Sequence, residues 1–174
     1  GQKEVFAAID SASADLALGD VGAGKGMTCH DLKGGIGTAS RIVEIGEETF
    51  TLGVLVLTNH GSLKDLTIQG KNVGLDIERR IHEDTPDEGS CIMILGTDLP
   101  VSSRQLGRII RRCSVGLARL GSYIGHGSGE VMVGFSTANR IPANAACFDL
   151  RCIHESQIDK AFRAAAEATE EAVL

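Results

Sequence analysis

Gly89-Ser90-Cys91-Ile92-Met93-Ile94-Leu95-Gly96-Thr97 is the stretch on which the fold of this chain turns. The residues before it, ERRIHEDTPDEG at 78–89, are charged and polar and include Pro86. They read as an exposed loop or linker. The run from Ser90 then turns apolar at once and is bounded by Gly, which predicts a buried strand over 90–97. A second run, TFTLGVLVLT at 49–58, is rich in β-branched and apolar residues and predicts another largely buried strand, with Asn59-His60-Gly61 at its end.

Outward from these two strands, the chain alternates helical and extended patterns. Val5, Ala8, Ile9, Ala12 and Leu16 predict a helix over 3–18, ended by Gly19. Two strands at 27–33 and 38–45 are expected on either side of Gly34-Gly35-Ile36-Gly37, and Leu66 and Ile68 suggest a short strand. Ser102 or Ser103 caps a predicted helix running to about Gly121, with Leu106, Ile109, Ile110, Cys113, Leu117 and Leu120 on its apolar side. Strands are expected at 130–137 and 145–152, and an Ala- and Glu-rich helix at 156–174. Strands buried on both faces fit two sheets between helical layers.

With 174 residues, 43% of them hydrophobic, the chain has the size and composition of one domain with a sizeable core. Aromatics are 3% and Trp is absent, so Ala, Val, Ile and Leu must build that core. A formal net charge of −6 argues against a polyanion-binding surface. The basic set Arg104, Arg108, Arg111, Arg112 and Arg119 lies at helical spacing without interleaved aromatics and reads as a solvated face, so no nucleic-acid partner is expected. The five cysteines, Cys29, Cys91, Cys113, Cys147 and Cys152, are odd in number and lack CxxC spacing. Buried thiols in a reducing, cytoplasmic setting are the reading. No apolar run reaches the roughly 18 residues of a membrane span, and no signal peptide is visible. A first residue that is Gly and a last helix pattern left unfinished suggest a fragment.

Three motifs compete for function. Residues 19–25 match GxxxxGK, but Gly26 replaces the Mg²⁺-holding hydroxyl and the loop leads from a helix to a strand, so a packing turn is expected. The five histidines, His30, His60, His82, His126 and His154, have no HxxxH or HExxH spacing, so spacing gives a metal site little support. They remain open as triad partners, which need not be close in sequence. The third motif is Gly89-Ser90. It reads as a simple strand start, where Ser is common. From the residues alone that reading prevails over the other, a self-cleaved junction in which the new α-amine of Ser90 serves as base for its own hydroxyl.

GDVGAGKGMTCHDLKGGIGTASRIV, LGVLVLTNHG, the Gly-Ser junction with its apolar strand, and RRCSVGLARLGSYIGHGSGEVMVGFSTAN together resemble the DmpA-type family of L-aminopeptidase/D-amidase-esterases and β-peptidyl aminopeptidases. The resemblance implies an α+β fold, an αββα four-layer sandwich related to the ornithine acetyltransferases, here without its N-terminal part. It implies a single catalytic domain over 1–174 whose 1–89 and 90–174 parts separate by self-cleavage between Gly89 and Ser90, stay associated and assemble into a homo-oligomer. It implies an autoprocessing serine aminopeptidase acting on peptides, amides or esters with a free amine, without metal or other cofactor. It names Ser90 as nucleophile, Asn59 as oxyanion-hole donor, and Ser128 and Glu130 as an accessory pair. Ser128 would bond the nucleophile or its amine, and Glu130 would hold that amine. The alternatives are an acyltransferase of the ornithine acetyltransferase type, whose nucleophile is Thr, and a non-catalytic, uncleaved assembly subunit. The family's tyrosine near the nucleophile has no match, since Tyr123, the only tyrosine, lies elsewhere in the pattern. His60 and His126 replace residues common in other members.

Overall fold

The computed structural model describes residues 1–81 and 89–174. Its elements are helix α1 (Gln2–Asp10), strands β1 (Thr28–Cys29), β2 (Leu32–Lys33), β3 (Ile36–Ile45), β4 (Glu48–Asn59), β5 (Thr67–Ile68) and β6 (Lys71–Asn72), helix α2 (Gly74–Ile81), strand β7 (Ser90–Thr97), helices α3 (Ser103–Ile110) and α4 (Cys113–Arg119), strand β8 (Gly129–Ser136) and helix α5 (Ile158–Val173). The central sheet has the order β3-β4-β7-β8. β3 pairs antiparallel with β4, β4 antiparallel with β7, and β7 parallel with β8. The two runs singled out in the sequence are therefore the two inner strands. Their inward series, Leu52, Val54 and Val56 on β4 and Cys91, Met93 and Leu95 on β7, is essentially solvent-free.

Helices α3, α4 and α5 cover that face. α5 presents Ile158, Ala161, Ala164, Ala165, Ala168 and Ala172 to it, a stripe of small residues that lets the helix lie close. The opposite face is open. Ile92 and Ile94 on β7 and Val131, Val133 and Phe135 on β8 are all exposed there. Such a contiguous apolar face is the kind a second layer covers. The described residues thus supply one sheet and one helical layer of an α+β sandwich.

The structure corrects four expectations. The first helix stops at Asp10 rather than 18, and no residue of it is buried. Beyond it the Ser11 and Ser13 hydroxyls bond nearby carbonyls, of Ala8 and Asp15, a local alternative to helix. The helix from 103 breaks at Arg111-Arg112, where the Arg112 N–H donates back only three residues, to the Ile109 carbonyl at 2.9 Å. The break lets α3 lie along β8 while α4 packs on α5. Residues 27–33 form a hairpin, not one strand, reversing at His30 and Asp31 with φ of 49° and 58°. The expected strand at 145–152 is an exposed loop. There the Asn139 side chain takes both the N–H and the C=O of Arg151, groups a neighbouring strand would otherwise pair. Of the loop expected at 78–89, residues up to 81 end helix α2, Gly89 adjoins β7, and 82–88, with His82, lie outside the described residues.

The arginine face is paired rather than simply solvated. Arg104 and Arg108 bond Glu155, Arg119 bonds Glu170 at 2.9 Å, and the Arg112 guanidinium stacks 4.0 Å over the Phe162 ring.

Two glycines test this packing in opposite directions. A side chain at Gly116 would meet the Ala166 carbonyl and Thr169 Cβ at 2.6 Å, whereas one at Gly107 in α3 meets nothing within 4 Å. Gly116→Val should therefore destabilise by about 2–3 kcal/mol through overpacking. Gly107→Ala should stabilise by roughly 0.5–1 kcal/mol through helix propensity. Thermal or denaturant unfolding of the two variants checks both signs.

Candidate active site at the head of strand β7

Ser90 opens β7, and both neighbours meet it there. Asn59, the last residue of β4, is its antiparallel partner, and Gly129, the first residue of β8, is its parallel partner. The alternation that buries Cys91, Met93 and Leu95 turns Ser90 to the open face, where it is exposed. The Gly129 N–H donates to Ser90 Oγ at 3.3 Å. Gly89 is held by a close approach. A Cβ on it would lie 1.8 Å from the Asn59 carbonyl oxygen, so a larger residue does not fit beside the end of β4.

Asn59 is half-buried, and its Oδ1 accepts the Thr28 N–H at 3.3 Å. With the oxygen engaged, the Nδ2 end is the donor left for another acceptor. Ser128 lies in the turn before β8, and its Oγ donates to Glu130 Oε1 at 2.6 Å. Glu130 is in register with Cys91 rather than Ser90, and follows the alternation of Met132, which packs against the core. Its carboxylate therefore sits toward the helical side of the sheet, away from the Ser90 hydroxyl. The structure thus brings Gly89, Ser90 and Asn59 together at one strand end and sets the Ser128–Glu130 pair one register step away.

Thiols offer no competing nucleophile nearby. Burial pushes the Cys91 thiol up to about 12, with Cys29, the Glu130 carboxylate and Cys113 adding to the rise. Burial pushes Cys29 up to about 11, against a lowering hydrogen bond from Thr58. Both stay protonated near neutrality and are poor nucleophiles.

The 19–25 glycine loop behaves as a packing turn. Gly22–Gly24 form one short helical turn, and Asp20 Oδ1 accepts the Gly26 N–H at 2.8 Å. One group that linear spacing missed does form. Cys29, His30 and His60 each place a ligand atom within 4.8 Å of the others. Their only sequence signal is position, since Cys29-His30 sit at a hairpin reversal and His60 directly follows a strand.

The sequence profile of Peptidase family S58 matches residues 1–174, the entire chain. The chain belongs to this peptidase family. It is 38% identical over 186 residues to a β-peptidyl aminopeptidase, BapA, of Sphingosinicella xenopeptidilytica, and 35% identical over 179 residues to BapA of Sphingosinicella microcystinivorans. It covers only 46% and 45% of those proteins, while they cover 98% and 94% of it, so the chain spans less than half the length of these curated relatives. Among solved structures, the PH0078 protein of Pyrococcus horikoshii OT3 superposes with a TM-score of 0.89 at 46% identity, over 99% of this chain and 47% of that one. The L-aminopeptidase D-Ala-esterase/amidase of Ochrobactrum anthropi superposes with a TM-score of 0.87 at 40% identity, over 99% and 48%. That structure is described as a prototype for the serine aminopeptidases and a variant among the Ntn hydrolase fold. The S58 chain accordingly has the α+β fold of that group. Among the described residues, no helix is long and apolar enough to cross a membrane.

Cysteine alkylation reads the burial directly. Cys91 and Cys113 are fully buried, whereas Cys147 and Cys152 are exposed. Mass spectrometry after iodoacetamide treatment at neutral pH should find Cys147 and Cys152 modified first, with Cys91 and Cys113 modified only after unfolding.

Proposed function

We propose that the protein of which this chain is part is a self-processing serine aminopeptidase/amidase with Ser90 as nucleophile and Gly89–Ser90 as the bond it cuts in itself. The observation that carries the reading is the register that lines up Asn59, Ser90 and Gly129 across three strand ends. It gives a hydroxyl on a rigid element, a side-chain amide beside it, and a glycine before it.

In the processing step the Ser90 Oγ attacks the Gly89 carbonyl carbon. The C–N bond breaks, the acyl group passes to oxygen, and the nitrogen keeps the electron pair and becomes the Ser90 α-amine. Water then hydrolyses the ester and frees the Gly89 carboxylate. The new amine has an ordinary pKa of about 8. It takes the proton from its own hydroxyl when a substrate peptide, amide or ester with a free amine binds. The tetrahedral oxyanion that follows needs a fixed donor, and Asn59 Nδ2 fits because Thr28 restrains its Oδ1 end. Glu130, on the far side from the hydroxyl, is suited to the backbone nitrogen that becomes the amine rather than to Oγ. Ser128, which donates to it, fixes its direction. The 1–89 and 90–174 parts stay joined through β4 and β7 after the cut, and assembly into a homo-oligomer belongs to the same reading.

Intact mass spectrometry of the full-length protein should give two chains, one beginning at Ser90. Ser90→Ala should give one uncut chain without hydrolysis of amino-acid p-nitroanilides. An active preparation consisting of a single uncut chain would overturn the reading. Asn59→Ala should lower kcat by about 10²–10³, an effect read from steady-state kinetics of whatever fraction is processed.

A further inference from the structure

We propose that Cys29, His30 and His60 form a binding site for a borderline-soft divalent first-row cation, of which zinc is the model case, at the end of β4 behind Asn59. Three observations carry it. First, one ligand atom from each residue lies within 4.8 Å of the other two, and the histidines are only 1% and 2% exposed.

Second, His30 is oriented as a ligand. Its Nδ1 lies 3.0 Å from the Ser62 carbonyl oxygen, which can only accept, so Nδ1 carries the proton and Nε2 holds the lone pair. That buried Nε2 has no hydrogen-bond partner among the described residues. A ring with one nitrogen donating to a backbone carbonyl and the other left as a donor atom is the usual setting of a metal-binding histidine.

Third, the site is built into the backbone rather than gathered from mobile side chains. The His30 N–H donates to the His60 carbonyl at 2.8 Å, and Cys29 bridges to His60 in parallel. Gly61, with φ of +86°, makes room for the His30 ring, since a Cβ there would lie 2.6 Å from Nδ1.

A thiolate with two imidazoles suits zinc, and three protein ligands leave a fourth position for water. A cavity of about 160 Å³ lined by Cys29, His30, Leu66 and Leu120 opens beside it. Binding would release the thiol proton to solvent and leave the thiolate to offset part of the cation's charge. His60 continues the inward series of β4, so the ion would lie on the covered side of the sheet, opposite the Ser90 hydroxyl. Its role would be positioning. It would clamp the β1–β2 hairpin to the end of β4, where the Thr28 N–H holds Asn59. The inference does not depend on the proposed activity.

The test uses the full-length protein, dialysed against a chelator and titrated with Zn²⁺ and Co²⁺. The expected result is one equivalent of zinc bound per chain, and a cobalt complex with the visible bands of a tetrahedral ion plus a thiolate-to-cobalt charge-transfer band. Cys29→Ser should remove that band and weaken zinc binding by more than the roughly 10–100-fold typical of losing an outer-shell partner. Cys147→Ser should leave both unchanged. In the unmutated protein the thiolate-to-cobalt charge-transfer band itself reports ligation by a cysteine, a readout that stands even if Cys29→Ser does not fold. Absence of stoichiometric binding by the folded protein, or a cobalt spectrum without the thiolate band, would each overturn the proposal.

Discussion

Strand β7 keeps register with an antiparallel neighbour on one side and a parallel neighbour on the other, and most of what the molecule offers follows from that double constraint. Side chains in a strand alternate between faces, so a slip of one residue would bury the Ser90 hydroxyl and expose Cys91, Met93 and Leu95. Burying those three against the helices, at about 1.5–3 kcal/mol for a full-sized apolar side chain, sets the register. The register in turn places Ser90 between Asn59 and Gly129. The hydrophobic pattern of the core thus fixes the geometry of a polar surface feature.

The helical layer depends on small residues. α5 approaches the sheet through alanines, and α4 approaches α5 at Gly116, so the layer packs closely without aromatics. That closeness also accounts for the arginines of α3 and α4. Brought near α5 and the turn before it, they meet Glu155, Glu170 and the Phe162 ring. A basic run that in isolation reads as a solvated face is largely answered within the chain.

The two inner strands and α5 were legible because each has a strong signature: apolar runs over 49–58 and 90–97, and an Ala- and Glu-rich stretch over 156–174, correspond to β4, β7 and α5 in the structure. What misled was local context that periodicity does not carry. Residues 11–18 keep a helical pattern of apolar residues, but the Ser11 and Ser13 hydroxyls bond nearby carbonyls, a local alternative to helix. Residues 145–152 have strand composition, yet Asn139 satisfies Arg151 in place of a neighbouring strand. Asn59 and Ser90 were visible as residues at strand ends, but their apposition needed the pairing. Cys29, His30 and His60 were invisible to spacing rules, because 30 residues and a strand hairpin separate side chains that the fold joins.

A strand paired along its whole length from both sides holds its first residue without help from whatever precedes it. Every residue of β7, Ser90 included, has a partner in β4 and in β8. A chain terminus at Ser90 would therefore leave the ladder intact, and the freed end would have little room to fray. The sheet works here as a vice: it would keep Ser90 rigid even if the polypeptide came apart just before it.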